Sequence, residues 1–222
     1  MLEAAFGGPP LLVRMATDGN VRILLQMPTY ADERWGMAVS GFGREVPFAA
    51  VPMSAISTTG DRIAHMTSEA TSARGGTFTV SLFTAGGDTL FVRTFPFTGV
   101  PVSAASRDSA LAALLPGPGR LTEGPSELPQ RFQEIARKRM PPVHAGVTSI
   151  RLGPDASVWV ALRETAEGTP VMVLDERGSA IGSILVPKGS RLRQANRTHV
   201  WLTETDDDGL VSVVRYRVLG LP

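Results

Sequence analysis

The chain has 222 residues, 43% of them hydrophobic, with 22 Lys and Arg against 21 Asp and Glu and no cysteine. That length holds one good-sized core, the near-zero net charge argues against nucleic acid as a partner, and the lack of cysteine removes disulfides, thiol nucleophiles and Cys-based zinc sites. No apolar run approaches the roughly 18–20 residues of a membrane span, and residues 1–10 lack the basic start and apolar stretch of a signal peptide.

Taken in order, Leu11–Met27 predicts a hairpin turning at Thr17-Asp18-Gly19. Pro28–Pro52, with Tyr30 and Trp35, reads as a long loop or an irregular strand pair. Met53–Ser57 and Arg62–Thr67 form a second hairpin. Ser68–Gly76 reads as a polar loop, and Phe78–Phe97 as a hairpin turning at Ala85-Gly86-Gly87-Asp88. Gly99–Gly146 breaks the β pattern. Ser103 or Ser106 can cap a helix in which Leu111, Leu114 and Leu115 share a face, stopped by Pro116-Gly117-Pro118-Gly119. Ser126 can cap a second helix, Glu127–Met140. Its stripe is Leu128, Phe132, Ile135 and Ala136, and its late Arg137, Lys138 and Arg139 suit the helix dipole.

Val147–Gly189 holds four short apolar runs, Val147–Leu152, Ser157–Leu162, Val171–Leu174 and Ala180–Val186. Each is too short for a helix, and Gly, Pro or Asp stands in each break. Four strands joined this way make an antiparallel meander, the form of one β-propeller blade. The same grammar recurs. Asn196–Glu204 repeats the second strand, with Val200-Trp201 matching Val158-Trp159, and Asp61–Thr67 is a further copy. Val211–Val218 repeats a third strand, with no fourth after it. A spacing of about 40 residues fits stacked units that bury their faces against one another. The expected fold is therefore all-β, with about three to four blades of four antiparallel strands and a two-helix insertion at about 103–140. The whole chain, 1–222, is expected to be one partial propeller domain with residues 100–146 inserted.

These stretches, with PVSAASRDSALAALL over the first helix, resemble the six-bladed, TolB-like β-propellers, in particular a bacterial group of exported propeller proteins. The resemblance covers most of the chain and rests on structural motifs. It implies a propeller working outside the cytoplasm, periplasmic or secreted. Outside the helical stretch the chain suffices for roughly four blades of 40–45 residues. It therefore reads as the C-terminal portion of a longer propeller, with open sheet edges available for self-association.

Candidate chemistry is sparse. His65, His144 and His199 show no metal-ligand spacing. Asp206-Asp207-Asp208-Gly209 lacks the alternation and the terminal Glu of an EF-hand and reads as a charged hairpin turn. No GxSxG elbow is present, and Gly75-Gly76 and Gly86-Gly87 lack the strand–loop–helix context of a phosphate cradle. Trp159 and Trp201 read first as blade-packing residues. Within a meander, the second-to-third loops and the blade-to-blade connections leave the same face, and the long segments fall there. The candidate binding residues on these segments are Tyr30, Trp35, Glu69, Arg137, Glu164, Glu167, Asp206 and Asp208. No catalytic residue, metal ligand or cofactor is assigned. The favoured reading is a non-catalytic binding module for a protein, peptide or glycan. The alternative is a hydrolase or lactonase-like propeller enzyme with calcium in its channel.

Overall fold

The computed structural model describes residues 11–15, 20–26, 46–113 and 128–221. Tyr30, Trp35, Leu114, Leu115 and Ser126 lie outside the described residues. The protein is mostly β, and among the described residues its helices fall only in the predicted window. Contacts divide it into two compact units. One is drawn from Met1–Ala49 and Pro101–His144, the other from Ala50–Val100 and Ala145–Pro222.

The second unit holds three antiparallel sheets, each a meander in sequence order. The first blade is β3 (Met53–Ile56), β4 (Arg62–Ser72), β5 (Gly75–Thr84) and β6 (Thr89–Thr98). The second is β7 (Val147–Leu152), β8 (Val158–Leu162), β9 (Thr169–Leu174) and β10 (Ala180–Val186). The third has three strands, β11 (Arg191–Ala195), β12 (His199–Thr205) and β13 (Val211–Arg217). Their first strands lie side by side, with β7 next to both β3 and β11.

The second blade is covered on both faces. Because side chains alternate along a strand, Val158 and Val160 of β8 join a core with Ala64, Met66, Phe78, Val80 and Phe91 of the first blade. Trp159 and Ala161 join another core with Leu192, Ala195, Val200 and Leu202 of the third. A strand buried on both sides has no polar face to display, which is why β8 reads VWVAL without alternation. Among the described residues the third blade is covered on one face only. Val200 and Leu202 are buried while Trp201 and Thr203 between them are partly exposed.

Two stretches depart from expectation. Ser68–Gly76 is not a loop. β4 and β5 stay paired from Arg62↔Thr84 to Ser72↔Gly75, leaving only residues 73–74 as the turn. The polar composition there reflects strand residues facing solvent, not lost pairing. β11 (RLRQA) is a strand that hydrophobic patterning missed, because only Leu192 and Ala195 of its five residues are buried.

The other unit contains the hairpin of β1 (Leu11–Met15) and β2 (Val21–Gln26), as predicted, and the helices α1 (Ala104–Ala113) and α2 (Leu128–Arg139). Ser103 Oγ accepts the Ser106 N–H at 3.0 Å and caps α1. Leu111, Ala136 and Met140 are buried where the helices meet, and Gln133 Nε2 donates to the Leu111 carbonyl at 2.9 Å. The stem is closed by the Pro101↔Val143 bridge and by Val102 N–H donating to the Pro142 carbonyl at 3.0 Å. Among the described residues no helix is long and apolar enough to cross a membrane.

Because Trp159 is fully buried between the second and third blades, Trp159→Ala is expected to destabilise the protein by about 3–5 kcal/mol. Leu210→Ala, at a residue 68% exposed, should cost less than about 0.5 kcal/mol. Urea unfolding followed by circular dichroism distinguishes the two.

Candidate functional site: a basic cleft between the second and third blades

A cleft of about 380 Å³ opens between the second and third blades. Its walls are Thr148, Ser149 and Arg151 of β7, Ala161 of β8 and Thr169 and Val171 of β9, facing Ser190, Arg191, Leu192 and Arg193. Glu164, from the β8–β9 loop, and Val186, at the end of β10, complete it. It therefore gathers a second-to-third loop and the connection between two blades, the two kinds of segment expected to share a face.

Its polar character comes from arginine. Arg151 Nη1 donates to the Ile150 carbonyl at 2.8 Å, and Arg193 Nε donates to Thr203 Oγ1 at 3.0 Å. Arg191 stands opposite Thr203 in the β11–β12 register. Among the described residues none of the three forms an ion pair. Glu164 is the one carboxylate among the lining residues, so the cleft carries excess positive charge. Guanidinium groups held by one hydrogen bond keep other donors in a fixed fork, suited to a carboxylate or another oxyanion.

The walls are set by a latch at the other end of the blades. In the β7–β8 turn, Asp155 Oδ1 accepts from Ser157 N–H at 3.2 Å and Ser157 Oγ–H at 2.5 Å. The buried Ser157 Oγ accepts from Trp159 Nε1 at 2.7 Å. Asp155 Oδ2 accepts the backbone N–H of Arg197, between β11 and β12, at 2.8 Å. One carboxylate thus ties the second blade's turn to the third blade's. A Cβ at Gly153 would lie 2.5 Å from Asp155 Oδ1 and 2.7 Å from the Ala195 carbonyl oxygen, so only glycine fits beside the latch.

Of the residues singled out from sequence, Glu164 lines the cleft. Glu167 is exposed in the same β8–β9 loop, its N–H donating to Thr165 Oγ1 at 3.3 Å. Glu69 is exposed on β4, opposite Thr77 of β5. Asp206 is engaged by its own turn, its Oδ1 accepting from the N–H groups of Asp208 at 3.1 Å and Leu210 at 2.8 Å. Asp175 does the same with Arg177 and Ser179, and Thr84 Oγ1 with Gly86 and Asp88. Each of these turns places a glycine at positive φ, Gly87, Gly178 or Gly209. The acidic run at 206–208 is a repeat of one turn chemistry. Arg137 is exposed in the last turn of α2, in the other unit.

Arg151, Arg191 and Arg193 were not singled out. Arg151 sits between Ile150 and Leu152, and Arg191 and Arg193 flank Leu192 in a largely polar strand, so each reads in sequence as an ordinary exposed side chain. Only the packing of β7 beside β11 assembles them.

The three histidines lie on separate elements. His65 is buried on β4, with Nδ1 2.9 Å from Ser54 Oγ. Its Nε2 has no partner among the described residues. Burial pushes its pKa below the ordinary 6.5. His144 packs edge-on against Phe48 at 5.0 Å, and His199 lies 6.0 Å from the Trp201 ring. Among the described residues no three His, Asp or Glu side chains converge as a metal site would require. No known family model matches the chain, and no curated protein is significantly similar to it.

Two outcomes are expected here. Asp155→Ala leaves the Ser157 and Arg197 donors unsatisfied and should cost about 1–3 kcal/mol in chemical denaturation. Asp175→Ala, in a more exposed turn, should cost about 1 kcal/mol or less. Below pH 6.5 the unfolded chain takes up a proton at His65 that the folded chain refuses. Stability from this group is present above that pH and is lost as pH falls towards the lowered folded value. The melting temperature of the wild type should therefore drop below pH 6.5 more steeply than that of His65→Gln. Equal slopes would remove His65 as the cause.

Proposed function

We propose that this chain is a non-catalytic binding module of propeller-type blades, of the six-bladed TolB-like kind its repeats resemble, working outside the cytoplasm. It holds a protein, peptide or glycan ligand by an anionic group in the cleft between its second and third blades. The observation that carries the reading is the cleft itself, which brings together Arg151, Arg191 and Arg193 without an ion-pair partner among the described residues. Its volume of about 380 Å³ lies in the range of small-ligand sites, and its lining is mostly polar, with Ala161, Val171, Val186 and Leu192 as the apolar part. Arginine stays protonated and so orients an anion; it does not exchange protons at neutral pH. That favours holding over turnover.

The test is binding of acidic and neutral peptides and glycans on arrays, followed by titration of whichever probe is retained. Binding is expected to weaken with salt and to fall about tenfold or more in Arg191→Ala and Arg193→Ala, each of which removes a charge-assisted hydrogen bond. EDTA should leave it unchanged. Affinity indifferent to both arginines would sink the reading. Affinity abolished by EDTA and restored by calcium would support the channel-metal alternative.

A further inference from the structure

β13 is the last strand of its sheet, paired through its full length with β12 and, among the described residues, with nothing on its other edge. In the other two blades a fourth strand occupies that place, β6 beside β5 and β10 beside β9. The outer strands of those blades carry features that resist further pairing. β6 contains Pro96, and β10 has a register shift between Ala180 and Gly182. β13, VSVVRYR, has no proline and no register shift. Its surroundings are also unusually apolar for an open edge: Val211 is 67% exposed, and Leu210 and Val213 are each 68% exposed.

Charge is arranged along the strand in one sense. The turn before it carries Asp206, Asp207 and Asp208, and its end carries Arg215 and Arg217. An acidic start, an apolar middle and a basic end complement themselves only when two such strands run antiparallel. We propose that two copies of this chain pair through β13, forming one continuous sheet across a twofold axis at Val213. In that register Val211 lies opposite the partner's Arg215, and Gly209 opposite the partner's Arg217. The arginine of each copy then comes beside Asp208 of the other. A foreign peptide would need no such self-complementarity, whereas an isologous interface requires it. Main-chain hydrogen bonds along the edge supply the attachment, and the two charged ends set the direction and register.

The test uses the full chain. Sedimentation velocity across a concentration series should show a monomer–dimer equilibrium. Val213→Lys places like charges directly opposite each other and should raise the dissociation constant about tenfold or more. Circular dichroism should stay unchanged, because the site is exposed. Asp208→Arg and Arg217→Asp should each weaken the dimer, and the double variant should recover it, an outcome a merely structural role does not produce. Since the chain has no cysteine, Val213→Cys introduces the sole thiol, and mild oxidation should yield a disulfide-linked dimer. Three results would overturn the proposal. They are a monomer at every concentration, a dimer indifferent to Val213→Lys, or a monomer whose β13 amides are protected from hydrogen exchange. The last would assign the edge to a strand of the same chain.

Discussion

The second blade can exist only between neighbours. Val158, Trp159, Val160, Ala161, Val171 and Val173 are all buried, and they point alternately to its two faces. A four-stranded sheet with two apolar faces would expose both of them if it stood alone, and the cost of that exposure, about 25 cal/mol per Å², exceeds anything its own hydrogen bonds return. The first and third blades therefore become part of its folding. The Phe78, Val80 and Phe91 face of the first and the Val200 and Leu202 face of the third are shaped to it. Stability in such a stack is a sum of sheet and interface terms, so among the described residues the middle sheet carries two interfaces and the third sheet only one.

Apolar faces can slide past each other, and the Asp155 carboxylate limits that freedom. It joins the β7–β8 turn to the Arg197 backbone N–H, and through Ser157 it orients the Trp159 ring that fills the interface. Burial supplies the attraction between the second and third blades, and this directional bond supplies their register. The cleft depends on that register. Arg151 belongs to one blade and Arg191 and Arg193 to the other, so any slip would change the separation of their guanidinium groups.

The blades were legible in the sequence wherever a strand was apolar or a turn had recognisable chemistry. Val147–Leu152 and Ala180–Val186 were marked out by both. The hairpin over Ser68–Gly76 was not, because its residues are mostly small or polar, though they are paired apart from Thr71 and the turn at 73–74. β11 was not, because a leading strand that faces a cleft is basic where others are apolar. The site was less legible for the same reason. Glu164 was reachable from the position of its loop. The three arginines were not, since nothing in local pattern distinguishes an arginine facing a shared cleft from one facing bulk water. Asp206 and Asp208 drew attention by their charge, yet their arrangement repeats the turns at Thr84 and Asp175.

The edges of these sheets divide by chemistry, and the division bears on what each can receive. β7 and β11, the leading strands beside the cleft, carry Arg151, Arg191 and Arg193. Charged side chains along an edge discourage another strand from adding there, so the gap stays open to a ligand that brings the opposite charge. β13 carries valine at its centre and keeps its charges at the ends. Such an edge favours pairing along its length and has no group in its middle to orient a small anion. The two proposed roles, holding a ligand and pairing with a second copy, therefore fall on different edges. The side chains that suit an edge to one of these roles make it unsuited to the other.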